Sequence, residues 1–441
     1  MIEQKQLLEN AVNTALNVAN DLGVSQAEIA LGKSAGISVN TRLGEVENIE
    51  FNHDGAMGIS VYIDHRKGSA STADLSEEAI AASVKAAVDI AKYTSQDPYA
   101  GLLDKSFLET NPLDLDLYHA SGKSTDELLA LAKQCEDIAL SLDPRVVNSD
   151  GAGVNSHTSL QVYGNSNGFL ESYVSSRHSL SCVLIAQENG EMQRDYSYTS
   201  ARNMNDLYSA KWVAEEAVKR TVDRLGACKI KTQESPVLFC PEMASGLFGH
   251  LVSAISGASL YKKSSFLLDS IDTQVFPDWM SISEDPHIVG GIASSPFDSE
   301  GGRTIKRNII DNGFLKTYLL TGYAARKMGL QSTGHAGGIH NWFVKDSSLD
   351  LAGMLKELGT GLFVTELMGQ GVNMVTGDYS RGAAGFWVEN GVITYPVHEI
   401  TIAGNLKEMF MDICAVGSDI DPRSSLKTGS ILIKKMKIAG E

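Results

Sequence analysis

Apolar residues between Gln4 and Asp21 recur every three or four positions: Leu7, Leu8, Ala11, Val12, Ala15, Leu16 and Ala19. That spacing predicts an amphipathic helix, with Gly23 as its stop signal. The period then drops to two. Ala27 to Leu31, Ile37 to Asn40, and Ile49 with Phe51 beyond a turn at Gly44 predict short strands. A hairpin pairs Gly58 to Ile63 with Gly68 to Thr72 across the polar turn at Asp64 to Lys67. Asp74 and Glu77 have capping-box spacing ahead of a helix over 77–93, and Ser124 and Glu127 repeat it for a helix over 125–142. Between them, 94–122 carries Pro98 and Pro112 and reads as a connection over the surface.

From Val146 to Ser200 the pattern is that of strands, with Asn167-Gly168 and Asn189-Gly190 as two-residue hairpin turns. A helix over 205–225 ends at Gly226, and the polar stretch Lys229 to Glu234 places the main boundary. The organisation is therefore α+β: an N-terminal domain, 1–230, of mixed helices and antiparallel strands with a β-rich part at 146–200, then a β-rich C-terminal domain, 231–441. Asn312-Gly313 and Asn390-Gly391 mark further hairpins, and 304–321 and 385–404 supply the longest strand pairs of this half. At its start, Val237, Leu238, Phe239 and Cys240 form an apolar run, followed at helical spacing by Met243, Leu247, Phe248, Leu251, Val252 and Ile255. This predicts a strand passing into a buried helix, with Pro241 in the first turn and His250 on the apolar face.

Composition narrows the function classes. A net charge of −17 lacks the basic footprint that nucleic-acid binding needs. No apolar run approaches the ~18 residues of a membrane span, and the first residues carry no basic patch ahead of an apolar core. The five cysteines are scattered, without a C-x-x-C pair, which fits a reduced, cytoplasmic protein.

The segment Ser245-Gly246-Leu247-Phe248-Gly249-His250 resembles the His-Glu-x-x-x-His metallopeptidase element of the TldD/PmbA family with its first two residues replaced. Pro296 to Gly301 is similar to that family's Asp-x-Glu-Gly segment, 375–404 to its C-terminal signature, and the run from Gly32 through 55–80 to its N-terminal domain. In the metal-binding members the element supplies two zinc ligands and a catalytic glutamate, and five residues of helix separate its histidines by about 140°, which calls for a π-type turn. Here only His250 remains of it. The resemblance therefore implies the metal-free PmbA/TldE type of subunit, with no catalytic or metal-ligating residue of its own, which pairs with a zinc-carrying TldD-type subunit. It further implies a cytoplasmic metallopeptidase acting on unfolded peptides, namely microcin leader peptides and antitoxins. A pseudo-twofold heterodimer is expected, or a homodimer in isolation. Tyr379 and Arg381, in the GDYSRGAAG loop, are the groups expected to face the substrate chamber.

Other constellations are weighed against packing roles. His335 and His340 have a spacing that suits one ion, yet no carboxylate or cysteine lies near them in sequence. His398-Glu399 lacks the second histidine of a zincin, and adjacent strand residues point to opposite faces. Ser245 with His250 lacks the G-x-S-x-G elbow of a serine hydrolase. Cys414 lies in the region from which zinc-binding relatives take a thiolate, and otherwise reads as a small buried hydrophobe. Two rival functions stay open: a metallopeptidase active alone through His250, Cys414 or the His335/His340 loop, and a non-enzymatic modulator that binds regulatory proteins.

Overall fold

The computed structural model describes residues 1–440. Its first half is built on long antiparallel strands, β1 (Gln26–Arg42), β2 (Glu45–Ile63), β4 (Val146–Asn165) and β5 (Leu170–Glu188), flanked by β3 (Arg66–Thr72) and β6 (Glu191–Ala201) in the order β3-β2-β1-β4-β5-β6. The sequence predicts short strands here because β1, β4 and β5 each serve two cores, while β2 serves one and is exposed over its first half. Ile29, Leu31, Ile59 and Leu160 pack under α1 (Lys5–Asp21) and α2 (Glu77–Tyr93). Val39, Val154, Leu180 and Leu184 pack under α3 (Thr125–Leu142) and α4 (Ala210–Asp223). Between these patches the strands pass through polar, glycine-containing sequence, so the alternation breaks while the ladder continues. Ile49 and Phe51 are accordingly exposed, Phe51 by 67%. Gly68 is a contact requirement, since a Cβ there would stand 1.9 Å from the Ala87 carbonyl oxygen of α2.

Most end signals hold, with local differences. The Ser124–Glu127 capping box is formed, but α2 is capped by Ser76, whose hydroxyl accepts from the Ala79 N–H, while Asp74 accepts from the Ser76 N–H. α4 begins at Ala210 because Ser209 accepts from the Trp212 N–H, and residues 204–206 form a separate 3-10 turn. Asn189-Gly190, Asn312-Gly313 and Asn390-Gly391 each have both residues at positive φ, as two-residue hairpins require. At Asn167-Gly168 only the glycine does, and the Asn165 side chain accepts from the Asn167 and Phe169 N–H groups instead.

The second half opens with β7 (Gln233–Phe239), which leads into α5 (Pro241–Ala254) and α6 (Gly257–Tyr261). A small sheet follows, in the order β10-β9-β8-β11-β16, made of β8 (Ile282–Asp285), β9 (Arg307–Asp311), β10 (Phe314–Leu315), β11 (Asn341–Val344) and β16 (Leu426–Lys427). The predicted long pair at 304–321 is thus only β9 and β10, since β8 offers four residues for pairing, and the chain moves on into α7 (Gly322–Met328). The second sheet contains β12 (Gly361–Met368), β13 (Asp378–Glu389), β14 (Val392–Asn405), β15 (Ile413–Val416) and β17 (Ile431–Ala439), with α8 (Leu351–Leu358) and α9 (Leu406–Met411) between strands. Its order β14-β13-β12-β7-β17-β15, with β14 also paired to β17, closes a barrel. β7 is buried on both faces, which explains its unbroken apolar run. Val237 and Phe239 join the core around α5, whereas Leu238 packs with Met354 and Leu358 of α8 on the other side.

Candidate functional site

The geometry of α5 follows from its two faces. Cys240 is the N-cap and Pro241 stands in the first turn; Ala244, Leu247, Phe248, Leu251 and Ala254 are buried against the barrel core. Gly246, Gly249, His250 and Ser253 form the opposite stripe, in which Gly246 and Ser253 are exposed. A Cβ on Gly246 or Gly249 would meet nothing within 4 Å, so this stripe is open. The helix is regular α throughout, without a π-type turn.

The start of α5 is pinned to the first half of the molecule. Glu242 accepts from Arg220 of α4 at 3.1 Å and from Arg423 at 2.9 Å. Arg220 also pairs with Asp195 of β6 at 3.2 Å, and Arg224 links Asp195 to Glu366 of β12. Nothing in the local sequence pattern announces this network, because its members are scattered over more than half the chain.

Three of the residues singled out in the sequence come together. His250 meets the Tyr379 ring, and Arg381 bonds the Tyr379 hydroxyl. Burial, then the charge of Arg381, holds the His250 imidazole below its usual pKa. Burial pushes the Tyr379 hydroxyl up to about 12, with Arg381 acting against it. The Nε2 atom of His250 and the Nε of Arg381 are both buried without a hydrogen-bond partner.

The other candidates stand apart. The Ser245 hydroxyl lies 3.2 Å from that of Ser424, not on His250. Cys414 is exposed rather than buried, donates to the Asp412 carbonyl, and has Lys434 and Glu357 as charged neighbours. Glu357 belongs to α8, on the face of the barrel sheet away from α5. Glu399 adopts φ 51 in a β-bulge and pairs with Lys229 at 3.0 Å, so the alternation expected of His398-Glu399 does not apply.

His335 and His340 do have a carboxylate, contrary to their sequence neighbourhood. The buried Glu284, about fifty residues upstream, accepts from His335 Nε2 at 2.9 Å, the His340 N–H at 3.0 Å and the Trp342 indole N–H at 2.9 Å. Burial works to raise its pKa, but these donors, His335 first, hold it down at about 2. The remaining nitrogen of His335 meets Thr333 at 2.8 Å, and His340 Nε2 the Gly334 carbonyl at 3.1 Å. The arrangement is a satisfied polar core. Among the described residues, no three His, Cys, Asp or Glu side chains converge as a metal site would require.

The Pro296 to Gly301 segment closes the two halves on each other. Asp298 accepts from the Glu300, Gly302 and Ala336 N–H groups. Glu300 accepts from the Gly322 N–H at 2.7 Å and faces a cavity of about 560 Å³ shared with Glu28, Tyr62 and Tyr163 of the first sheet. Burial pushes its carboxyl up to about 7.

Comparison with known proteins agrees along the whole chain. Models of the PmbA/TldA metallopeptidase match as domain 1 over residues 27–91, central domain over 118–225 and C-terminal domain over 232–440. The chain is 57% identical to metalloprotease PmbA of Escherichia coli O157:H7 over 439 residues, 99% of this chain and 97% of that one. It is 54% identical to the PmbA homologue of Haemophilus influenzae, with the same coverage. A crystal structure described as a putative modulator of DNA gyrase, from Bacteroides thetaiotaomicron, superposes with a TM-score of 0.93 at 29% identity over 98% of each chain. Among the described residues no helix is long and apolar enough to cross a membrane.

Proposed function

The chain belongs to the PmbA/TldD metallopeptidase family, and from that premise we propose that it is the metal-free half of a two-subunit cytoplasmic peptidase. The observation that carries this reading is the open stripe of α5. Peptide hydrolysis at zinc needs about three protein ligands, a position for water and a carboxylate base. This helix offers one imidazole, a hydroxyl directed to Ser424, and a glycine. The charge acting on His250 is the Arg381 guanidinium, which repels a second cation. These residues do not fit zinc.

The ion and the general base then come from a TldD-type subunit. This chain contributes the second wall of the chamber, with Tyr379 and Arg381 facing the substrate. An unfolded peptide, such as a microcin leader or an antitoxin, is held extended through main-chain pairing at a strand edge, which gives affinity without sequence selectivity. Assembly is a pseudo-twofold heterodimer, and a homodimer forms when the partner is missing.

Reconstitution tests this. The purified chain is assayed on an unfolded peptide alone, with a TldD-type subunit, and with that subunit after chelation. Cleavage in the untreated mixture only is the expected result. Chelator-sensitive cleavage by the isolated chain would refute the proposal.

A further inference from the structure

Resting on the reading that the open stripe of α5 faces the substrate, we infer that His250, Tyr379 and Arg381 form a binding site for a carboxylate of the bound peptide. Tyr379 and Arg381 are two residues apart on β13 and project from one face of the strand, toward the helix that carries His250. Each of the two basic side chains has a buried nitrogen with no acceptor in the protein. A polar group left unpaired in this way costs about 1–3 kcal/mol, so two at one place are best understood as awaiting an acceptor from outside the chain.

The contrast with the other shielded arginines points the same way. Arg220, Arg224 and Arg423 are each held by carboxylates and Arg202 and Arg326 by backbone carbonyls, whereas no described carboxylate or carbonyl pairs with the Arg381 guanidinium. In a chain of net charge −17 this guanidinium is left uncompensated beside an open surface. Its planar fork matches the two oxygens of a carboxylate, and the imidazole supplies a further donor. Access is given by Gly246 and Gly249, where side chains would otherwise stand in the way. The carboxylate is either the peptide's C-terminus or an acidic side chain within it.

Three labelled peptides of one unfolded sequence separate these cases: neutral with an amidated end, neutral with a free C-terminus, and amidated with one internal glutamate. Their affinities for the complex with the TldD-type subunit are measured by fluorescence anisotropy, with the metal chelated to prevent cleavage. A carboxylate-bearing peptide is expected to bind about tenfold or more tighter than the neutral one, as for a charge-assisted contact. Gain with the free C-terminus alone identifies the terminus; gain with the internal glutamate identifies a side chain. Arg381→Gln should abolish the difference and Arg381→Lys should keep part of it. Equal affinities on the wild-type complex, or a gain that survives in folded Arg381→Gln, overturn the inference. Equal affinities with cleavage intact leave the proposed function standing, while loss of all binding and cleavage removes both.

Discussion

The imidazole of His250 meets the ring of Tyr379 edge-on, with centroids 5.9 Å apart and planes at 76°. The imidazole is thereby engaged by an aromatic ring, with the Arg381 charge acting on it. Gly246 has open space where a side chain would project, while the regular α geometry would have to unwind locally, which Gly246 and Gly249 make easy, for residues 245 and 250 to reach one ion. Restoring the missing groups with Ser245→His and Gly246→Glu should therefore raise zinc affinity measurably, and more so when Arg381→Ala removes the repelling charge. Calorimetric titration with zinc checks it. Unchanged zinc binding in a well-folded double variant would show that α5 does not carry the family's register.

Glu242 joins α5 to α4 through Arg220 and to the 420s loop through Arg423. Its removal leaves two shielded guanidinium groups short of a partner. Glu242→Ala is expected to cost about 2–4 kcal/mol, against less for Glu242→Gln, which keeps acceptor oxygen at the same place. Equilibrium unfolding in urea measures both, and equal stability of the three proteins would show that the network contributes nothing.

Glu300 gives a pH signature to the contact between the halves. Its folded pKa, about 7, lies above the ordinary 4.5, so the folded state holds the proton more tightly than the unfolded one. The stabilisation is complete below 4.5 and is lost as pH rises through about 7. Glu300→Gln keeps an acceptor for the Gly322 N–H and carries no charge. Relative to wild type it should gain about 2 kcal/mol between mildly acidic and mildly alkaline buffer, seen as a flatter profile of melting temperature against pH. Parallel profiles for the two proteins would contradict this assignment.

Much of the fold is legible in the sequence because local rules decide it. The capping box at Ser124, the Asn-Gly turns and the apolar stripe of α1 each act within a few residues. Strand length is hidden, since β1 and β4 run on through a polar, glycine-containing stretch between two separate cores, and β2 follows β1 with its first half exposed. The candidate site divides in the same way. Ser245 and Gly246 can be compared directly, along the chain, with the first two positions of the helical motif that the segment resembles. That His250 lies against Tyr379 and Arg381 depends on how α5 packs on β13, and that Glu284 serves His335 and His340 depends on the pairing of β8 with β11. Neither partner is visible by searching along the chain near the histidine.

The most direct measurement is the zinc content of the purified chain, alone and after assembly with a TldD-type subunit, by elemental analysis per mole of protein. The isolated chain should carry essentially none and the heterodimer one zinc, lost when the partner is removed. Stoichiometric zinc in the isolated chain, retained through dialysis and lost with Arg381 and Tyr379 intact on His250→Ala, would contradict it.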